Sequence, residues 1–257
     1  MKRPYLIVHA IASADGRVSL GSDRTAFEDA ADARWHRIWA CGKDLEQSRR
    51  DLVSEYRPQV LLEGSGSFAR EGAAPGRLPP ADLPSAELLQ DFLPDDVVRA
   101  PDHVGWLAVV DGRGRIRAGM KEFPGWEGWR TLHLVARTAP EDYLAFLRRE
   151  GIPYLVSGQG HVDLGAAFAK MASMLGVERV VSTAGSRLNG ALLRSGLVDE
   201  FDLILLPALI GGSSTPMLFG CPELGADDYP TNLELISVER TAMGRVHVRY
   251  KVVRGEA

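Results

Sequence analysis

VVSTAGSRLNGALLRSGLVDEFDLILLPALIGG, the stretch from Val180 to Gly212, decides the fold. Val180 to Ser182 is short and rich in β-branched residues, the composition of a buried strand end. Ala184-Gly185-Ser186 is a small-residue turn. Leu188, Ala191, Leu192 and Ser195 then recur at helical spacing, and Gly196 stands where a glycine ends a helix. Phe201 to Ile210 is apolar again and predicts another strand. Strand, glycine turn, helix, strand is a βαβ unit. The first backbone N–H groups of such a helix lack partners and carry partial positive charge. Gly185 has no Cβ, so a phosphate can approach the main chain there. Two readings of this turn stay open: an anion cradle, or a glycine kept for helix–strand packing. The Rossmann pattern G-x-G-x-x-G is absent.

The chain around this unit has 257 residues, 45% hydrophobic and 25% charged, which predicts a folded protein with a large core. The net charge is −4 and no basic stripe stands out, which argues against nucleic acid as a partner. Cys41 and Cys221 are far apart and fit no metal or C-x-x-C spacing, so no metal is expected. They read as ordinary thiols in a reducing compartment, the cytoplasm. No apolar run approaches transmembrane length, so no membrane partner is expected. Lys2-Arg3 and Ala12-Ser13-Ala14 mimic a secretory leader, but His9 interrupts a run better read as a strand.

In chain order, Pro4 to Ala12 reads as a strand, and Asp15-Gly16 as a turn pair. Glu28 to Ala40 predicts one helix, and Leu45 to Tyr56 a second. Val60 to Leu62 is a strand that runs into Glu63-Gly64-Ser65-Gly66-Ser67, another strand-to-glycine turn. From Gly72 to Asp102 prolines crowd the sequence, which reads as a surface excursion. Such a segment is either a lid or substrate loop, or an insertion with no role. Trp106 to Val110 is a strand followed by Asp111-Gly112-Arg113-Gly114-Arg115, a turn carrying cations. Taken alone it fits a solvated hairpin tip or a phosphate-binding turn, since Arg pairs bidentately with phosphate. Thr131 to Ala136 and Tyr154 to Ser157 predict strands, and Glu141 to Glu150 a helix. Leu164 to Leu175 predicts a helix capped by Asp163 and closed by Gly176. His161 has no partner at ligand spacing and reads as a surface histidine. Leu233 to Arg240 and Arg245 to Val253 alternate about Ala242-Met243-Gly244, an antiparallel hairpin.

Several anion-ready turns at strand ends imply an extended phosphorylated ligand such as a dinucleotide. No Ser-His-Asp order, zinc motif or P-loop is present. Hydride transfer fits that inventory, because the cofactor carries the reactive atom and the protein binds and orients. No catalytic side chain is assigned.

Ala184-Gly185-Ser186-Arg187-Leu188-Asn189-Gly190-Ala191-Leu192-Leu193, continuing through Leu197-Val198-Asp199-Glu200 and Pro207 to Gly212, resembles the reductase domain of the riboflavin-biosynthesis deaminase/reductase (RibD-type) family. Ala12 to Arg17 resembles that family's first loop, and Val109 to Ile116 its strand-and-arginine turn. The resemblance implies an α/β fold: a single dihydrofolate-reductase-like domain over 1–257, with a mixed, mostly parallel sheet, flanking helices and a C-terminal antiparallel hairpin. It implies an NADPH-dependent reductase that converts the ribosyl group of a ribosylamino-pyrimidine phosphate to ribityl. By that likeness Ala12, Asp15 and Gly16 lie near the nicotinamide. Gly64, Ser65, Gly66 and Ser67, with Ala184, Gly185, Ser186, Arg187 and Leu188, hold the pyrophosphate. Gly112 and Arg113 sit by the 2′-phosphate. Arg34 and Arg77 are the candidates for the substrate phosphate. Thr183 stands where the family usually carries a glutamate that touches substrate. The family's Asp-Asp-Pro segment is replaced by Glu71-Gly72 and the excursion. Deamination would then fall to another protein. A same-fold reductase acting on a pterin or small carbonyl, and a non-catalytic nucleotide-binding protein, are the alternatives. Family likeness also implies a homodimer through the terminal strands.

Overall fold

Why this chain folds as it does is visible in a computed structural model, which describes residues 3–39, 45–122 and 126–254. In chain order the elements begin with strand β1 (Tyr5–Ser13), helices α1 (Ala26–Ala30), α2 (Ala33–Trp39) and α3 (Leu45–Tyr56), and strand β2 (Val60–Gly64). A 3-10 turn at Ser65–Ser67 leads to short helices α4 (Ser85–Leu88) and α5 (Asp95–Val98). Strands β3 (Gly105–Val110) and β4 (Trp129–Val135), helix α6 (Glu141–Arg149) and strand β5 (Tyr154–Val156) come next. Helix α7 (Leu164–Leu175), strand β6 (Arg179–Ser182), helix α8 (Ser186–Arg194) and strands β7 (Glu200–Leu206), β8 (Asn232–Arg240) and β9 (Val246–Val253) complete the chain. The sheet is mixed and mostly parallel, and the C-terminal strands pair antiparallel, β7 with β9 and β8 with β9.

The chain divides into two compact units, one built on Pro58–Val180 and one on Tyr5–Arg57 with the chain from Val181 onward. In the first unit the strand order is β5-β4-β3-β2, with every pair parallel. Leu107, Ala108, Val109, Leu132 and Leu134 are all buried, the near-continuous apolar run that a strand covered on both faces requires. Because β3 and β4 pair in parallel, Asp111 to Arg115 is not a hairpin tip. Instead the turn leaves the carboxyl end of β3, beside the carboxyl end of β2. Helix α7 matches its sequence signals. Asp163 accepts from the Ala166 N–H at 2.9 Å, and Gly176 closes the helix at φ 66°.

The proline-rich excursion is more than surface. Leu88 is fully buried in a cluster with Val135, Tyr143, Leu144, Leu147, Ile152 and Tyr154. Phe92 exchanges two backbone hydrogen bonds with Tyr154, each 2.9 Å. Asp91 accepts from the Val156 N–H at 2.8 Å and from Lys170 Nζ, with 2.8 Å to each carboxylate oxygen. The excursion thus covers β5, a short edge strand that would otherwise offer unpaired backbone groups.

In the second unit the order is β6-β1-β7-β9-β8. Strands β1 and β7 are parallel, whereas β7–β9 and β8–β9 are antiparallel. The single helix expected over Glu28–Ala40 is two helices, and Ala40 lies outside the described residues. The break falls at Asp32, whose Oδ1 accepts from the Arg34 N–H at 2.9 Å and starts α2 afresh. Strand β7 stops at Leu206, short of the expected Ile210, because Pro207 has no N–H to give the ladder. Buried Asp202 on β7 collects Tyr56 Oη at 2.8 Å, His9 Nδ1 at 2.7 Å and His247 Nε2. Burial alone would raise the Asp202 carboxyl, but the bonds from the two imidazoles outweigh it and hold the group well below the usual carboxylate range.

Truncating Leu88 to alanine tests the standing of the excursion. Urea denaturation should show a loss of about 2–5 kcal/mol, as for a core leucine. A loss below about 0.5 kcal/mol would mark the segment as surface.

Candidate functional site

Each unit carries its own set of polar turns at strand ends. In the first unit, Ser65 is buried at the head of the 3-10 turn, and its Oγ accepts two hydrogen bonds from Arg115: Nε at 3.2 Å and Nη2 at 2.8 Å. Ser67 Oγ donates to buried Glu63 at 2.8 Å, which fixes the turn on β2. Gly66 is exposed, and a Cβ there would meet only Arg115, at 3.9 Å. Arg113 reaches out from the neighbouring turn and pairs with Glu71 through both its Nη atoms, at 3.0 and 3.2 Å. The two arginines differ in burial, with the Arg113 side chain 63% exposed and Arg115 12%.

The arginine turn is held from beneath by Asp111, which is fully buried. Asp111 Oδ2 accepts from the Ile116 N–H at 2.8 Å and lies 3.1 Å from Tyr143 Oη. Tyr143 Oη also lies 2.8 Å from His133 Nδ1. The hydroxyl has a single proton, so both neighbours cannot accept from it. The consistent chain runs from His133 Nδ1–H to the Tyr143 oxygen, and from the Tyr143 hydroxyl to Asp111. Burial lowers the His133 imidazole below its ordinary value and favours its neutral form, whose Nδ1–H tautomer supplies this donor. Burial, then Asp111, pushes the Tyr143 phenol well above its ordinary value, so it remains a donor. Gly114 sits at φ 63°, and a Cβ there would stand 2.7 Å from the Tyr143 ring. No other residue fits that position without moving the turn.

In the second unit, Ala12 is buried at the end of β1, and Asp15 leads the loop that follows. Asp15 accepts from the N–H groups of Ile210 at 3.1 Å and Gly211 at 2.7 Å, and from Ser13 Oγ at 2.5 Å. These bonds, Ser13 first, lower its carboxyl to about 2. Asp15 is therefore a tie between two loops. The segment 216–220 stitches the first loop to α8: Val18 N–H donates to Pro216, Leu218 N–H to Gly16, and Gly220 N–H to Ser186.

Helix α8 begins at Ser186 with no side-chain cap, and a Cβ on Gly185 would meet nothing within 4 Å. Packing therefore does not demand a glycine at that position. Arg187 is exposed and Leu188 half-buried. The turn before α8 is held by Asn189, which is buried. Its Nδ2 donates to the Ala184 carbonyl at 2.8 Å, and its Oδ1 accepts from Ser182 Oγ at 3.0 Å. Half-buried Thr183 lies inside this turn.

The two candidates for a substrate phosphate are placed differently. Arg34 is 69% exposed and forked onto Asp32, which also binds Arg24. Arg77 is exposed in the excursion. Gly112 packs toward Val162, which a Cβ would approach to 3.2 Å. Sequence reading passed over Arg115, Glu71, Asp111 and Asn189 as site residues. An asparagine in mid-helix, where it disfavours the helix unless it bonds elsewhere, was the available signal for the last.

The sequence pattern of the RibD C-terminal domain matches residues 4–246. This chain belongs to the RibD C-terminal domain family. It is 26% identical over 210 residues to a protein of Methanothermobacter thermautotrophicus named 2,5-diamino-6-ribosylamino-4(3H)-pyrimidinone 5′-phosphate reductase, covering 82% of this chain and 81% of the relative. A relative from Archaeoglobus fulgidus with the same name is 28% identical over 216 residues, covering 83% and 85%. Among solved structures, a pyrimidine reductase-like protein of Corynebacterium diphtheriae shares the fold at TM-score 0.63 and 18% identity, covering 98% of this chain and 93% of the other. Both turn systems lie within the span matched to the RibD C-terminal domain.

Two predictions test these turns. Asn189→Ala removes both bonds that hold the α8 turn, and should lower stability by about 1–3 kcal/mol in chemical denaturation; no change would remove its role. Asp15 has a folded pKa below its unfolded value, so its contribution is present above about pH 4 and is lost as pH falls toward about 2. The melting-temperature gap between wild type and Asp15→Asn should be constant above about pH 5 and close toward pH 2. A gap independent of pH would contradict the ionised tie.

Proposed function

We propose that the protein is an NADPH-dependent reductase acting on a ribosylamino-pyrimidine phosphate of riboflavin biosynthesis. The names of its relatives favour the diaminopyrimidinone form of that substrate over the uracil form. The observation that carries the reading is the junction of Arg115 with Ser65, which sets a guanidinium against a glycine-containing turn at adjacent strand ends. That donor set fits a phosphate ester, and the open, uncapped start of α8 fits a second anionic group. When bound, NADPH supplies the hydride that the sugar C1′ accepts, and a proton opens the sugar ring. The chain's own work is to bind and orient. Ser65 and Arg115 present donors, Asp111 keeps the arginine turn in shape, and Asp15 fixes the first loop beside residues 210–211.

Thr183 favours a second reading, a same-fold reductase with another substrate such as a pterin or small carbonyl. A neutral hydroxyl there replaces the carboxylate by which the family usually touches substrate. A non-catalytic nucleotide-binding protein is the remaining alternative, and cofactor turnover separates it from the others.

A homodimer is part of the proposal. On β8 and the segment leading into it, Tyr229, Leu233, Leu235, Ile236 and Val238 are 45–89% exposed, on an edge strand whose backbone has one free side. The reaction belongs in the cytoplasm, where NADPH is available; among the described residues no helix is long and apolar enough to cross a membrane.

Titration with NADPH and NADH, followed by turnover with the diaminopyrimidinone ribosyl phosphate, tests the reading. Arg115→Ala should weaken NADPH about tenfold to a hundredfold, the worth of a charge-assisted pair, and leave NADH within about twofold. Arg113→Ala should act in the same sense and less strongly. Equal loss of both cofactors would remove the 2′-phosphate role from this turn, and tight NADPH binding without turnover would favour another substrate.

A further inference from the structure

Glu71 is the feature that the cofactor reading leaves unexplained. Its carboxylate accepts guanidinium N–H bonds from Arg113 Nη1 at 3.0 Å on Oε1, and from Arg113 Nη2 at 3.2 Å and Arg115 Nη1 at 3.1 Å on Oε2. One oxygen is therefore shared by two like-charged groups. Arg115 cannot withdraw easily, being mostly buried and braced on Ser65 by two more bonds. Arg117, the next cation along, is committed to Asp142 at 3.0 Å and to the Gly76 and Gly114 carbonyls. Asp111 acts on Arg113 through space, but its bonded oxygen is used by Ile116 and Tyr143 beneath the turn. Two guanidinium groups that converge on one oxygen need an anion between them.

We propose that the Glu71 carboxylate is the resting occupant of an anion site formed by Arg113, Arg115 and Ser65, and that a phosphate monoester of the ligand displaces it. The proposal rests on the NADPH reading for the identity of that ligand, its 2′-phosphate. A carboxylate offers two oxygens and one charge. A phosphate monoester offers three terminal oxygens and nearly two charges, so it satisfies converging guanidinium groups better. Departure of Glu71 costs little on the Arg113 side, where the two side chains are 43% and 63% exposed, and the incoming phosphate takes its place against the mostly buried Arg115. An exposed pair of that kind contributes little. Gly72, at φ 75° with open space around it, gives the backbone beside Glu71 freedom to swing. Arg115 stays in place throughout, so the site is half built before the ligand arrives. Selectivity then has two parts: a phosphate ejects Glu71, whereas a ligand without one leaves Glu71 where it is.

The test is Glu71→Gln, with Glu71→Ala as a second variant, in the full chain. Calorimetry with 2′-AMP, 5′-AMP, NADPH and NADH reads the site. The expected result is about two- to fivefold tighter binding of 2′-AMP and NADPH by both variants, the worth of an exposed pair, with NADH unchanged. Unchanged or weaker 2′-AMP binding in the variants overturns the proposal, and equal tightening of 2′-AMP and 5′-AMP upholds the anion site but overturns the 2′-phosphate as its ligand. Absence of 2′-AMP binding by every protein overturns it as well. Tighter 2′-AMP without any NADPH binding upholds the anion site and removes the cofactor reading. NADPH binding that the variants leave unaltered upholds the cofactor reading and removes Glu71.

Discussion

Where strands pair in parallel, their carboxyl ends lie on one edge, and the chain must leave through turns there. Those turns expose N–H groups that no strand can satisfy. In the first unit the ends of β2 and β3 are adjacent by register, with Gly64 opposite Val110. That register delivers Ser65 and Arg115 to the same place although they are 50 residues apart. In the second unit β1 and β7 end together, Ser13 opposite Leu206, and the loops that follow are tied by Asp15 onto residues 210–211. Side chains then finish what the pairing begins. Each loop is held by a carboxylate or an amide that accepts or donates to its backbone.

Such ties carry a cost that explains how they are built. A buried carboxylate without partners loses several kcal/mol of solvation, so it must be bonded or neutralised. Asp111 is met on Oδ2 by a backbone N–H and by a phenol aligned by a neutral imidazole, while its Oδ1 is buried without a hydrogen-bond partner among the described residues. Asp202 is met by two imidazoles and a phenol. The two solutions differ in charge. His133 is driven neutral by full burial, whereas Asp202 raises His247 above its ordinary value. The carboxylate beneath the arginine turn is thus served by neutral donors, which leaves the positive charge of the turn to exposed Arg113 and to Arg115 on Ser65.

Periodicity made most of the elements legible in the sequence. The strand–turn–helix–strand order around Gly185, the caps of α7 and the antiparallel pairing of the last two strands have local signals, and the structure carries each, although β8 is exposed along nearly its whole length and its register shifts at Leu235/Ser237. Pairing across distance was not legible. Nothing local to Arg115 says that it will lie on Ser65 and Arg113 will not, since that choice follows from the β2–β3 register and from the bend at Gly114. Leu88 sits among prolines and charges that average to a surface composition, yet one residue of the right size facing Tyr154 and Leu144 is enough to bury it. The break at Asp32 was hidden for the converse reason. Helical spacing continues through it, and only the side-chain bond to the Arg34 N–H restarts the helix.

Thr183 shows how a single side chain changes what a helix start can hold. A carboxylate at that place would lie beside the uncapped N-terminus of α8, where the dipole favours it. Threonine keeps a hydrogen-bonding group and removes the charge. Asn189 then becomes the sensible anchor for the turn. A neutral amide binds the Ala184 carbonyl and the Ser182 hydroxyl at once without adding negative charge beneath the helix start. Gly190 follows from the same geometry. A Cβ there would come within 2.7 Å of the Gly220 backbone, so the close seating of α8 on residues 220–221 needs glycine. Asn189 and Gly190 are therefore adjacent for one reason: the first orients the start of the helix, and the second lets the helix sit close enough for that start to be held.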